Sequence, residues 1–126
     1  MENVVLLKKS RWRLESNSLK DLSLYVVDVN LDYYFKSLYF TVLDAVVSGK
    51  PIIHNWIIDK VSNSEDDVFT VTHIDGNNNT IYKKILKGVK LIGHQCNHNY
   101  DSEDEDLQDH TLTFSYEELQ TIDNVN

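Results

Sequence analysis

Cysteine, proline and glycine are scarce, and each shortage narrows the field. The single cysteine, Cys96, excludes an internal disulfide framework and agrees with a reducing compartment. Four glycines leave little backbone suited to cradling phosphate. No glycine-rich phosphate loop, nucleophile elbow or His-Glu-x-x-His occurs. No apolar run approaches the roughly 20 residues a membrane helix needs. The apolar run at residues 4–7 is too short for a secretory signal. The expectation is therefore a cytoplasmic protein with no membrane partner. No internal repeat recurs at any period of about 20 to 50 residues. Lysine and arginine are missing from residues 99–126, so nucleic acid is not expected there, because phosphate binding needs cations.

What is present is a folded chain. With 126 residues, 41% hydrophobic and 10% aromatic, it is read as one domain spanning residues 1–126. Its net charge of −8 is uneven. Residues 1–98 hold all 12 Lys and Arg and 11 of the 20 Asp and Glu, a net of +1; residues 99–126 carry a net of −9. A block of one sign repels itself and forms either a solvated segment or an interaction surface.

The stretch 31–51 places Leu31, Phe35, Leu38, Val42 and Ala45 at helical spacing, with Tyr34, Tyr39 and Val46 widening the stripe. Asn30 or Asp32 can cap its first turn; Gly49 and Pro51 can end it. This predicts a central helix. Residues 22–29 are β-branched and aromatic on both faces, which predicts a central strand. Pro51 favours a short second helix over residues 52–61. Residues 68–74 and 80–85 read as a hairpin around Asp75-Gly76-Asn77-Asn78-Asn79. Lys87-Gly88 reads as a turn or bulge before a strand at residues 89–92, and residues 111–114 as a short strand. Ser115-Tyr116-Glu117-Glu118 matches a capping box, predicting a short terminal helix. The sum is an α+β fold: a mainly antiparallel sheet packed against one central helix, with one or two short helices and an acidic loop at residues 99–110.

Two local patterns bear on chemistry. His94, Cys96 and His98 alternate, so a strand would turn two imidazoles and a thiol to one face. All three are ligands for zinc or copper, and His110 or an acid could complete the set. Against this, structural zinc ligands are usually paired at wider spacing. A nucleophilic Cys96 is disfavoured because the negative surroundings raise a thiol's pKa. The basic cluster Lys8, Lys9, Arg11 and Arg13 around Trp12 suits a stacked base, but without a recognisable binding motif it reads as an exposed strand end anchored by the Trp.

The second pattern is the acidic run. Residues 101–109 hold six carboxylates: Asp101, Glu103, Asp104, Glu105, Asp106 and Asp109. The run lacks the central glycine and spacing of an EF-hand loop. Held between ordered flanks, such charge is best relieved by a cationic counter-surface. With Glu117 and Glu118 beside it, this predicts a non-enzymatic acidic inhibitor of general immunity-protein character. It would have no cofactor and would bind a basic protein such as a nuclease toxin. Two alternatives stand beside that expectation: a metal-binding enzyme or regulator using His94, Cys96 and His98, and an interaction subunit of a larger assembly.

Overall fold

Alternation of apolar and polar residues sets the architecture. The computed structural model describes residue 8 and residues 11–63, 65–97 and 107–123. Within these described residues nine strands and one α-helix follow one another: β1 (Trp12–Ser16), β2 (Val26–Asp32), β3 (Ser37–Leu43), the short β4 (Val46–Val47) and β5 (Lys50–Pro51), α1 (Ile52–Ser62), β6 (Asp67–Ile74), β7 (Thr80–Cys96), β8 (Asp109–Ser115) and β9 (Glu118–Asp123). All paired strands run antiparallel, in the order β1-β6-β7-β8-β3-β2, with β9 also on β7 and β4-β5 a separate pair.

The 17-residue β7 is the spine. Its residues 80–89 pair with β6, residues 82–87 also pair with β9, and residues 90–96 pair with β8. The break falls at Gly88, whose φ of +65° opens a bulge that suits glycine. A Cβ there would lie 2.8 Å from Glu117 Cγ. β8 and β9 follow one another along β7 through Tyr116 and Glu117, and the Glu117 N–H donates to the Lys87 carbonyl at 2.9 Å.

The core collects the inward residue of each pleat: Leu14, Leu38, Phe40, Val42, Phe69, Leu86, Leu112 and Phe114. Phe40 and Phe114 stack at 5.5 Å, and Phe69 meets Phe114 edge-on at 4.8 Å. α1 closes over these rings with Ile53, Trp56 and Ile57; Trp56 stacks on Phe40 and on Phe69, each at 6.4 Å. A buried carboxylate, Asp67, ties the helix to the sheet. Its oxygens accept hydrogen bonds from Ser16 Oγ (2.9 Å), Ser18 Oγ (2.6 Å) and the amides of Asn17 (3.2 Å) and Val68 (2.7 Å). Lys60 Nζ of α1 stands 2.6 Å away.

The expected α+β plan, a sheet against a central helix, is thus corrected to a mostly antiparallel β fold with, among the described residues, a single short α-helix. Residues 31–51 are not helical. They hold the end of β2, a turn at residues 33–36, then β3, β4 and β5. Leu38, Phe40 and Val42 alternate inward, and β3 gains hydrogen-bonded neighbours on both sides, β2 and β8. Asp32 caps a turn rather than a helix: its Oδ1 accepts the amides of Tyr34 and Phe35 at 2.9 and 3.0 Å. The strand expected at residues 22–29 begins at Val26, after a single 3₁₀ turn at Leu22–Leu24, and is an outer strand, not a central one. The capping box at Ser115 leads into β9, because pairing with β7 outweighs local helix signals. The helix read from Pro51, the hairpin around residues 75–79 and the strand at residues 111–114 agree with α1, β6–β7 and β8.

Candidate functional site

The alternation at the end of β7 does what a strand must: His94 and Cys96 share a face, and Cys96 lies opposite His110 of β8. The rings of His94 and His110 are engaged with each other. His94 Nε2 and His110 Nδ1 are 2.9 Å apart, and His110 Nε2 stands 2.8 Å from Asp44 Oδ2. Desolvation, followed by the neighbouring His110, holds His94 below the ordinary imidazole pKa, with Asp44 opposing. Asp44, which follows β3, was not singled out in the sequence; nothing local marks it, because its partner is 66 residues away. His98 lies outside the described residues. Among the described residues no group of three His, Cys, Asp or Glu is placed to hold a metal ion.

The acids expected to meet a partner divide similarly. Asp101, Glu103, Asp104, Glu105 and Asp106 lie outside the described residues. Asp109 opens β8, and its carboxylate accepts from Asn97 Nδ2 at 3.3 Å. Glu117 and Glu118 lie exposed where β8 gives way to β9, beside Lys87 of β7.

Two surface features stand out, the first in a stretch that sequence reasoning placed in a helix. The first is the β2–β3 turn. Tyr34 is 88% exposed and Phe35 75% exposed, and their rings meet edge-on at 5.0 Å. Large apolar groups held in the open by an ordered turn mark a contact surface. The second is a groove of about 720 Å³ between the outer strands β1 and β2. Val27, Val29, Trp12 and Val71 give it apolar walls, and Lys8, Arg11 and Lys84 line it with cations. Lys84 Nζ bonds the Tyr33 hydroxyl and lies over the rings of Tyr33 and Tyr82 at 5.0 and 5.4 Å. Tyr82 stacks on His73 at 4.2 Å. Burial, then the charge of Lys84, pushes His73 below its ordinary pKa. Its Nε2 is buried without a hydrogen-bond partner among the described residues.

The chain matches no family model, and no curated protein resembles it in sequence. Its fold does match solved structures. A chain of the six-fold symmetrised baseplate of the anti-feeding prophage superposes with a TM-score of 0.62, covering 100% of both chains at 9% identity. A chain of the PVC sheath–tube complex of an extracellular contractile injection system, in the extended state, gives 0.61 over 94% of this chain and 92% of that one at 12% identity. Hcp1 from Flavobacterium johnsoniae gives 0.56 over 90% and 99% at 16% identity. At these identities the likeness is one of fold. It corrects the immunity-protein expectation: the first two of these chains come from a prophage baseplate and from the sheath–tube complex of a contractile injection system, not from immunity proteins or antitoxins.

Proposed function

We propose that this chain is a non-enzymatic structural subunit of a contractile-injection-type particle, of the tube or baseplate kind, and that its partners are other protein subunits. The observation that carries the reading is the match of fold along nearly the whole chain to components of such particles. The surface supports it physically. Among the described residues three outer strands, β1, β2 and β9, pair on one side only, leaving backbone donors and acceptors for a neighbour. The Tyr34–Phe35 tip and the groove beside β2 are two different patches. A subunit that joins through two different patches makes head-to-tail contacts, which close into rings or grow into filaments.

Such a contact buries roughly 800 Å² per subunit. That is a modest part of the 8793 Å² that this chain exposes alone. Light scattering coupled to size exclusion, with negative-stain microscopy, tests the reading on the purified protein. The expected result is a concentration-dependent species at a multiple of 14.7 kDa with a ring or stacked outline. A chain that stays at 14.7 kDa across the micromolar range, alone and when mixed with the products of adjacent genes, refutes it.

A further inference from the structure

We propose that the Tyr34–Phe35 tip of one copy of this chain docks on an apolar rim at the opposite end of β3 in the next copy, a rim formed by Leu24, Val46, Val47 and Leu107. The inference rests on the structural-subunit reading and specifies one of its contacts.

The tip is held ready for a partner. Asp32 Oδ1 accepts the amides of Tyr34 and Phe35, the Tyr116 hydroxyl donates to the Asp32 carbonyl at 3.1 Å, and the Tyr116 N–H donates to the Lys36 carbonyl, also at 3.1 Å. Lys84 of β7 bonds the Tyr33 hydroxyl. Lys36 closes the turn at a φ of +51°, a left-handed conformation that costs energy for a residue with a side chain. A turn tied down in this way, with two aromatic rings in solvent, loses little further freedom when it is covered. Aromatic rings are also the side chains enriched where interfaces are buried deepest.

The rim is assembled from three segments at the other end of the same strand. The Leu43 N–H donates to the Tyr25 carbonyl at 2.8 Å, which brings up the 3₁₀ turn with Leu24. The Asp44 N–H donates to the Gln108 carbonyl at 2.9 Å, which brings up Leu107. Val46 and Val47 follow in β4. Leu24, Val46 and Leu107 are 76%, 72% and 70% exposed, as open to water as Phe35 at the tip.

Length decides that tip and rim meet between molecules. β3 spans seven residues, at a rise of about 3.3 Å each, so the two patches lie about 20 Å apart. The strand between them is hydrogen-bonded on both sides, so it cannot fold to bring them together. Two different apolar patches at opposite ends of one subunit are what a head-to-tail contact joins. Charge agrees with that pairing. Lys36, beside the tip, forms no salt bridge among the described residues, and Asp44, with its side chain 26% exposed, stands beside the rim. Each aromatic ring buries about 150–250 Å² when covered, a large part of the roughly 800 Å² that a stable contact takes from each partner.

The test is complementation between two variants of the full chain, read by sedimentation velocity. One lacks the tip (Tyr34→Ser with Phe35→Ser) and the other lacks the rim (Leu24→Ser with Val46→Ser and Leu107→Ser). All these side chains are exposed, so the melts of both variants are expected to match wild type. Each variant alone is expected to self-associate at least about tenfold more weakly than wild type. Mixed one to one, the intact tip of one meets the intact rim of the other, and a dimer that grows no further is expected. A second readout does not depend on the rim variant folding. Phe35→p-benzoylphenylalanine, irradiated with isotope-labelled wild type, is expected to cross-link to labelled peptides holding Leu24, Val46 or Leu107. If wild type assembles but neither variant weakens it, or the mixture yields no dimer, or the cross-links fall elsewhere, the inference falls and the subunit reading stands. If wild type stays at 14.7 kDa alone but assembles with the product of an adjacent gene, the tip serves a different subunit, and again only the inference falls. If it assembles with neither, both fall.

Discussion

Asp67→Ala is expected to be among the most damaging single substitutions in this protein. Asp67 is 4% exposed and sits where β6 begins, where β1 ends and beside the last turn of α1. Four hydrogen bonds and the Lys60 ammonium converge on its carboxylate. Ser18 in turn accepts from Trp56 Nε1 at 2.8 Å, so the network also orients the ring that covers the aromatic core. Truncation leaves Lys60, 12% exposed along its side chain, without its anion, and Ser16 without its acceptor. Breaking a buried pair from one side costs about 3–5 kcal/mol. Lys60 can swing partly into solvent, so about 2–4 kcal/mol is the working figure. At this chain length that corresponds to a fall in Tm of roughly 10 °C. Urea unfolding followed by tryptophan fluorescence and circular dichroism measures it, and Asp66→Ala supplies the control. Asp66 meets Lys90 at 3.4 Å with both side chains about half exposed, and its loss is expected to cost less than about 0.5 kcal/mol. The network also predicts the pH response. Burial raises the Asp67 carboxyl, but Lys60, Ser18, Ser16 and the Val68 amide outweigh it and hold the group below the ordinary carboxylate range. A carboxylate depressed in the folded state gives stability that is present above its unfolded pKa and is lost as pH falls through the folded one. The acid limb of wild-type stability should therefore flatten in Asp67→Asn. If Asp67→Ala proves no worse than Asp66→Ala, or the acid limb is unchanged in Asp67→Asn, the network does not anchor α1.

Three further outcomes are expected. Gly88→Ala meets both a φ of +65° and a 2.8 Å contact with Glu117, and should cost about 1–2 kcal/mol in thermal unfolding; an unchanged melt would show that β7 does not need its bulge. Tyr34→Ser with Phe35→Ser should leave the stability of the single chain within about 0.5 kcal/mol of wild type, because both rings are exposed, while reducing self-association in sedimentation; a large loss of stability would contradict the ordered, outward-facing tip. His73 and His94 are both held below the ordinary imidazole pKa, so the unfolded chain takes up more protons between their folded pKa values and pH 6.5. Stability should therefore fall as pH drops below 6.5, and His73→Gln with His94→Gln should flatten that slope in urea melts at successive pH values.

The elements that were legible have one local solution each. β6 and the start of β7 alternate on either side of an Asp-Gly-Asn turn, and Asp75 caps that turn by accepting the amides of Asn77 and Asn79. Pro51 followed by Ile53, Trp56 and Ile57 allows a helix whose one apolar face is buried. β3 has two solutions. Leu38 and Val42 are four apart and satisfy a helical stripe, yet with Phe40 between them they also satisfy a strand face. Phe40, outside the helical stripe and wholly buried in the strand, is the residue that decides. The same holds for residues 115–118, where a capping box is overruled by a free edge of β7 waiting for β9.

The sites divide in the same way. That the negative charge is gathered in one segment, that cysteine chemistry is sparse and that His94 and Cys96 would share a strand face all follow from the order of residues, because each depends on neighbours a few positions apart. The cationic groove does not. Asp28, His73 and Lys84 come from three strands and Arg11 from just before a fourth, and no spacing along the chain relates them. Strand pairing is a hydrogen bond between distant residues, so a sequence fixes which stretches can pair, and only the closed sheet decides which do, which edges stay open and what those edges enclose.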